Sequence, residues 1–190
     1  MDQKKIVPVI VPTRDEQGLV GRTTACLWNV FYSLGREPYY IHASCIGYAR
    51  VRTDSFIEAK KFCKVDRIRG LMIDDDILSV DQEGIVKAVV KADQMGWNIV
   101  GPYRTKNDRV CVCHANGDMM TIDEYKKLKP YDQVSMAGLG FYYGDLPLNY
   151  EFHADGKPFL GEDLNFFFDN QDIKIRIAPV QLKHLKVMAI

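Results

Sequence analysis

The sequence predicts an α/β fold built on a mostly parallel central sheet. Over residues 6–102, short apolar runs typical of buried strands alternate with longer segments of helical periodicity. This alternation favours parallel strands joined by crossover helices. Asp74, Asp75 and Asp76 come directly after the apolar run 71–73. In open α/β sheets ligands bind beyond the carboxyl ends of the strands, so an acidic cluster at this place is consistent with the same fold.

The alternating elements occupy the first half of the chain. Buried strands are predicted at 6–14, 38–43, 71–73 and 98–102, and helices at 18–35, 54–64 and 80–95. In the first of these helices Leu27, Val30 and Phe31 recur at helical spacing, which predicts one apolar face against the sheet. Asp54 is the candidate N-cap of the second helix.

The second half of the chain follows a different pattern. Residues 109–122 are typical of a hairpin, with Asn116 and Gly117 as its two-residue turn. The remaining predicted elements are a glycine-rich aromatic stretch at 136–143, a helix at 162–170 and a strand at 174–178. Because no repeat, linker or low-complexity segment interrupts the chain, residues 1–190 are predicted to form one domain.

Composition limits the class of protein and its partners. Hydrophobic residues make up 47% and charged residues 26% of the 190 residues, which is typical of a globular chain that buries a core. The formal net charge is zero, whereas a bulk nucleic-acid binder needs an excess of Lys and Arg. We therefore expect no nucleic-acid partner.

Hydropathy indicates a chain without a transmembrane segment. No apolar run reaches the ~20 residues that a membrane-spanning helix needs. Residues 1–5 are polar, unlike the apolar region of a signal peptide. We expect an intracellular, cytoplasmic protein.

The cysteines are an odd and scattered set: Cys26, Cys45, Cys63, Cys111 and Cys113. Without an export signal, this set is expected to be free and mostly buried thiols. Cys111 and Cys113, with His114 beside them, resemble part of a zinc motif. Alternation along the predicted hairpin strand places both thiols on one face, which favours packing over zinc binding.

The acidic triplet is a candidate metal site. Three adjacent carboxylates repel one another and raise one another's pKa, and a divalent cation would relieve this repulsion. Carboxylate oxygens suit Mg²⁺ and Mn²⁺. Strand alternation points Asp74 and Asp76 the same way and Asp75 the other way. The pattern also fits a solvated turn ahead of a helix that begins near Asp81, and by itself it indicates a metal and not a reaction.

Several short motifs, taken in order, resemble those of one enzyme family. They are Val-Pro-Thr-Arg at 11–14, Ala-Arg-Val-Arg-Thr-Asp at 49–54, the triplet within 71–77, Met-Ala-Gly-Leu-Gly-Phe at 136–141, Gly-Glu-Asp-Leu-Asn-Phe-Phe at 161–167, and His184. Their order and spacing resemble GT-A fold glycosyltransferases, particularly minimal members similar to glycosyltransferase family 2 that occur in archaea and viruses. The resemblance spans about residues 6–186. It implies a Rossmann-like nucleotide-diphospho-sugar transferase, with a nucleotide-binding half at about 6–102 and an acceptor-side half at about 103–190.

The resemblance also implies a metal site and donor contacts. Asp76 and Asp74 would bind Mn²⁺ or Mg²⁺ with His184, and Asp75 would face the ribose or sugar of a UDP- or GDP-linked donor. The metal would neutralise the leaving nucleoside diphosphate. The other implied donor contacts are Thr13, Arg14 and Asp15 at the nucleobase, Arg52 at the diphosphate or sugar, and Gly138 and Gly140 beside the sugar.

Most of these donor residues also have a structural interpretation. Thr13 and Asp15 fit caps of the following helix. Arg52 fits either a guanidinium fork on the donor or a surface ion pair. Gly138 and Gly140 fit either a close backbone approach to the sugar or a simple bend.

The acidic pair at 162–163 supplies the candidate catalytic groups. By the resemblance, Asp163 is the general base that deprotonates the acceptor hydroxyl, and Glu162 contacts the acceptor or the sugar. Both acids also fit a helix start, where the helix dipole favours negative charge. The family's basic or aromatic acceptor motif is missing after this pair. The acceptor (glycan, protein or lipid) and inversion versus retention therefore stay open.

Two other functions remain as alternatives. The first is a nucleotidyltransferase acting on sugar phosphates, although the segment after the first strand lacks the glycine-rich, lysine-bearing loop of those enzymes. The second is a non-catalytic relative that binds a glycan or a protein partner. The triplet together with Asp163 and His184 favours an active enzyme.

Overall fold

The computed structural model describes residues 6–13, 21–44, 47–105, 108–156, 158–159 and 161–184. In chain order its strands, β1 to β12, are Ile6–Thr13, Glu37–Ser44, Arg67–Ile73, Ile77–Ser79, Asn98–Val100, Arg109–Cys113, Met119–Thr121, Gln133–Val134, Met136–Ala137, Phe141–Pro147, Ile175–Ile177 and Leu182–His184. Its helices, α1 to α5, are Gly21–Leu34, Tyr48–Cys63, Gln82–Met95, Ile122–Tyr125 and Glu162–Asp169.

A seven-stranded sheet, in the order β2-β1-β3-β10-β5-β11-β8, forms the centre of the described fold. Strands β1, β2 and β3 are parallel, and β5 and β11 run in the same direction. Strand β10 runs antiparallel between β3 and β5, and β8 is an antiparallel edge strand. The predicted α/β class is therefore confirmed, and within the described sheet five of the seven strands share one direction.

Helices cover both faces of this sheet. Along β1, Val9 belongs to a hydrophobic core with α1 and α3, whereas its neighbour Ile10 belongs to a second core with α2 and α5. Successive residues of a strand point to opposite faces, so a strand buried on both sides is apolar throughout. Large buried residues of the first core are Leu27, Phe31 and Val89, and those of the second are Phe56, Tyr142 and Phe166.

Most predicted elements have counterparts within a few residues of the expected bounds. The hairpin is confirmed, since β6 and β7 pair antiparallel and Gly117 at the turn has φ 88°. The predicted N-cap Asp54 is wrong, because α2 begins at Tyr48 after Gly47. Asp54 lies inside the helix and forms an i,i+4 ion pair with Arg50 at 3.8 Å. The one-domain organisation of residues 1–190, with its two halves, stays a prediction.

Candidate active site

The acidic triplet lies at the carboxyl end of β3, as the sequence predicts. Asp74 and Asp76 are each 8% exposed, whereas Asp75 is half-buried. The backbone N–H of Asp74 donates to the carbonyl of Gly140 at 3.0 Å, and the N–H of Ile77 donates to the carbonyl of Asp74 at 3.2 Å. The first bond joins the triplet to the strand beside it, and the second closes a turn that keeps Asp74 and Asp76 on one side.

Backbone pairing brings His184 to this triplet. Strand β12 runs antiparallel to β4, so that His184 lies opposite Ile77, the residue after Asp76. Nε2 of His184 is 3.6 Å from Oδ1 of Asp76. Nδ1 of the same ring is buried and has no hydrogen-bond partner among the described residues. Two of the three predicted metal ligands, Asp76 and His184, are therefore adjacent.

Arg52 is the cation of the site, and its side chain is 1% exposed. Nη2 donates to Oδ1 of Asp74 at 2.9 Å, and Nη1 donates to Oε1 of Glu162 at 2.8 Å and to Oδ1 of Asp163. The ring of Tyr48 lies 5.6 Å from the guanidinium carbon, a cation–π distance. Arg52 is thus a buried group shared by three carboxylates and not a surface ion pair. Its predicted contact with the donor stays a prediction.

The pKa values of these acids follow from burial. Burial raises the pKa of Asp163, and this effect exceeds the lowering by Arg52. Burial likewise raises the pKa of Asp74 against the lowering by Arg52, and the charges of Asp163 and Asp76 add to the rise. Burial would lower the pKa of Arg52, but its three carboxylates raise it, so the guanidinium stays charged.

Asp163 is held by a backbone group as well as by Arg52. It lies in the first turn of α5, and its Oδ2 accepts a hydrogen bond from the N–H of Leu139 at 3.1 Å. Leu139 stands between Gly138 and Gly140, so this bond connects the acidic pair to the glycine-bearing segment. Here the carboxylate is paired, and its pKa is nevertheless raised.

Two adjoining clefts open on these residues. The smaller has a volume of about 150 Å³ and is lined by Tyr48, Arg52, Asp74, Asp76, Glu162, Asp163 and His184. The larger has a volume of about 490 Å³ and lies between the β6–β7 hairpin and the start of α5. Glu162 and Asp163 line both clefts. We name them the acidic cleft and the hairpin cleft.

Tyr103 is a site residue that the sequence analysis missed. It lines the hairpin cleft, and its ring centroid is 5.4 Å from that of His184 in the acidic cleft. Burial raises the pKa of its phenol well above the usual range, with smaller contributions from the charges of Cys111, Asp74 and Asp163. Its place directly after the predicted strand 98–102 was a signal, because side chains just beyond strand ends line ligand sites in α/β sheets.

The two glycines of the predicted donor loop lie against Tyr103. A Cβ at Gly138 would lie 2.8 Å from the Tyr103 hydroxyl, and a Cβ at Gly140 would lie 2.7 Å from its Cε1. Both distances are shorter than real Cβ atoms show. The glycines therefore make room for the Tyr103 ring, and their predicted contact with the donor sugar stays a prediction.

The remaining candidate residues are only partly described. Thr13 ends β1 beside Ser44, whereas Arg14 and Asp15 lie outside the described residues. Within the described ranges, no group of three or more His, Cys, Asp or Glu side chains is arranged to hold a metal ion. Among the same residues, no helix combines the length and apolar character needed to cross a membrane.

The described cysteines agree with the expectation of buried thiols. Cys26, Cys63, Cys111 and Cys113 are free and buried, and Cys45 lies outside the described residues. Burial is the largest cause that raises the pKa of Cys111 to about 12 and that of Cys113 to about 11.

Comparison with known proteins supports the fold alone. No protein-family model matches the chain, and no curated protein sequence matches it significantly. Among solved structures the chain is similar to one described as "Crystal Structure of A197 from STIV", with a TM-score of 0.56 and 17% sequence identity. The match covers 90% of this chain and 80% of that chain. At this identity the likeness shows a shared α/β fold, and function has to be argued from the site.

Proposed function

We propose that this chain is a GT-A-like, metal-dependent glycosyltransferase that moves a sugar from a nucleotide-diphosphate sugar to an acceptor hydroxyl. The observation that carries the proposal is the convergence of distant predicted site residues on the acidic cleft. They are Arg52 from α2, Asp74 and Asp76 after β3, Glu162 and Asp163 from α5, and His184 from β12. Contacts between residues so far apart in sequence do not follow from local structure.

Asp76 and His184 are the residues that would hold Mn²⁺ or Mg²⁺. Their contacting atoms are 3.6 Å apart, and a carboxylate with an imidazole suits Mn²⁺ in particular. The charge of the cleft also favours a cation, because four carboxylates face the single guanidinium of Arg52 among its lining residues. When bound, the ion would stabilise the negative charge of the leaving nucleoside diphosphate. Donor oxygens would complete the ligand set that the two side chains begin.

Arg52 and Asp163 have complementary roles in this proposal. Arg52 holds Asp74 at the metal side and Asp163 at the acceptor side, so both carboxylates keep fixed positions. Asp163 lines both clefts and can receive the proton of an acceptor hydroxyl. A raised pKa suits this task, since a general base works best when its pKa is near the working pH.

Donor hydrolysis tests the proposal. The protein is incubated with UDP- and GDP-linked sugars and Mn²⁺, and released nucleoside diphosphate is measured. We expect slow release that Asp76→Asn abolishes. Asp81→Asn is the matched control, because Asp81 caps α3 through the Gly84 N–H and Asn caps a helix equally well. Equal release by both variants would contradict the metal assignment.

Two further outcomes would replace the proposal. Synthesis of a nucleotide sugar from a nucleoside triphosphate and a sugar phosphate would indicate a nucleotidyltransferase. Donor binding without turnover would indicate a non-catalytic binding protein. Asp163→Asn is expected to keep donor binding and to lose transfer, and transfer by this variant would contradict its role as general base.

A further inference from the structure

The hairpin cleft has the size and lining of a small-molecule site. Its volume of about 490 Å³ falls within the ~300–1,000 Å³ of ligand pockets, which are mostly apolar with a few placed polar groups. Apolar and aromatic parts of its wall come from Tyr103, Met119, Phe159 and Leu164. Phe159 lies against the hairpin turn, since a Cβ at Gly117 would be 2.5 Å from its ring. The hairpin and the segment before α5 therefore meet at one end of the cleft.

The ionisable lining of this cleft does not suit an anion. Its carboxylates are Asp118, Glu162 and Asp163, and no Lys or Arg belongs to its described lining. Arg52, the cation of the adjoining acidic cleft, already bonds Glu162 and Asp163. Among the described lining residues, a phosphate or carboxylate in the hairpin cleft would meet like charges and no counter-ion.

Tyr103 supplies a hydrogen-bond donor at the end of the cleft next to Asp163. A Cβ built on Gly138 would lie 2.8 Å from the Tyr103 hydroxyl and 3.5 Å from Oδ2 of Asp163, so both oxygens border the same space. The phenol stays protonated at neutral pH because burial raises its pKa. It can therefore donate to a ligand oxygen while the carboxylate beside it accepts.

We propose that the hairpin cleft binds the acceptor, that the acceptor is an uncharged sugar, and that Tyr103 donates a hydrogen bond to it beside Asp163. The apolar wall would pack against the C–H face of the sugar ring, and the phenol and carboxylate would bind hydroxyl groups. The identification of this sugar as the acceptor rests on the proposed glycosyltransferase function. The binding of an uncharged sugar can be measured without any donor.

The experiment compares neutral and anionic sugars directly. Binding of methyl hexosides and of the corresponding hexose 6-phosphates is measured by saturation-transfer NMR and titration, with no nucleotide present. We expect at least one methyl hexoside to bind and its phosphate counterpart to bind at least about tenfold more weakly. Equal binding of the phosphates, or no binding by any hexoside, would overturn the proposal.

Two variant pairs locate the binding site. Tyr103→Phe removes only the hydroxyl and should weaken hexoside binding about three- to tenfold, as expected for one hydrogen bond. Tyr125→Phe, which removes a phenol hydroxyl outside the cleft, should leave binding unchanged. Met119→Trp should obstruct the cleft, whereas the same change at Met95, which is also exposed, should not. Equal effects within either pair would overturn the assignment.

Failure of the hairpin-cleft assignment can be distinguished from failure of the proposed function. Hexoside binding that Met119→Trp removes, together with no donor hydrolysis, would keep the cleft assignment and reject the transferase. Donor hydrolysis that Asp76→Asn removes, with no hexoside binding, would keep the transferase and reject the cleft assignment. If both hold, adding the bound hexoside should increase nucleoside diphosphate release by the wild type and not by Met119→Trp.

Discussion

Nη2 of Arg52 donates a hydrogen bond to Oδ1 of Asp74 over 2.9 Å, and this contact joins α2 to the carboxyl end of β3. Through Nη1 the same guanidinium reaches Glu162 and Asp163 in the first turn of α5. One buried cation thereby connects three elements of the candidate site. The acidic cleft is lined by four carboxylates and by the one guanidinium of Arg52, so the charge of its lining favours a further cation.

Removing the Arg52 guanidinium should strongly destabilise the fold. Arg52→Met leaves three clustered carboxylates without their counter-ion, and breaking a buried ion pair on one side costs about 3–5 kcal/mol. The measurement is urea unfolding at pH 7. Arg50→Met is the control: its ion pair with Asp54 is exposed, and such pairs contribute about 0–1 kcal/mol. Similar losses for both variants would contradict the importance of the buried network.

The stability of Asp163→Asn relative to the wild type should increase with pH. Because the pKa of Asp163 is raised in the folded protein, folding favours its protonated form. Its contribution to stability is therefore lost as pH rises from about 4, the usual Asp pKa, through the folded-state pKa. Asn cannot titrate, so the variant does not lose this stability as pH rises. The check is urea unfolding at several pH values between about 4 and 7.

Asp172→Asn serves as a control of opposite sign. A hydrogen bond from Arg67 lowers the pKa of Asp172, so its contribution to stability is lost as pH falls. The stability of this variant relative to the wild type should therefore decrease as pH rises from the folded-state pKa of Asp172 to the usual Asp pKa of about 4, so the unfolding series for this variant extends below pH 4. If the stabilities of the two variants changed with pH in the same direction, the pKa of Asp163 would not be raised by burial.

The glycine at position 140 should tolerate a side chain poorly. In Gly140→Ser the new Cβ would lie 2.7 Å from Cε1 and 2.9 Å from the hydroxyl of Tyr103, and overpacking of this kind costs about 1–3 kcal/mol. Gly161→Ser introduces the same side chain where no atom lies within 4 Å, at a helix N-cap that favours Ser. Thermal unfolding compares them. A Gly140→Ser protein as stable as the wild type would show that Tyr103 moves aside freely.

The hairpin thiols should react slowly in the folded protein. With the pKa of Cys111 raised to about 12 and that of Cys113 to about 11, little thiolate is present at pH 8. Since the thiolate is the nucleophile, we expect iodoacetamide to modify both at least about a hundredfold more slowly than in the unfolded chain. Labelling with and without urea, followed by peptide mass spectrometry, measures the ratio. Comparable rates would contradict their burial.

Secondary structure was predictable wherever it depends on local spacing. Apolar runs predicted β1 and β3, and the Asn116-Gly117 pair predicted the hairpin turn between β6 and β7. The helix start at Asp54 was predicted wrongly, because the capping preference of Asp competes with its ability to pair with Arg50 inside a helix. The antiparallel position of β10 between β3 and β5 was not predicted, because the order of strands in a sheet depends on pairing between distant segments of the chain.

The sequence by itself determined the α/β class and placed the acidic triplet at a strand end, because both follow from periodicity within a few residues. Only the tertiary structure decided what surrounds the triplet. Arg52 and Asp163 are 111 positions apart in the chain and share a part-buried ion pair. Strand β12 brings His184 to Asp76 by backbone pairing with β4. These contacts, and the packing of Tyr103 on its two glycines, depend on which strands become neighbours. The spacing of residues along the chain does not determine that order.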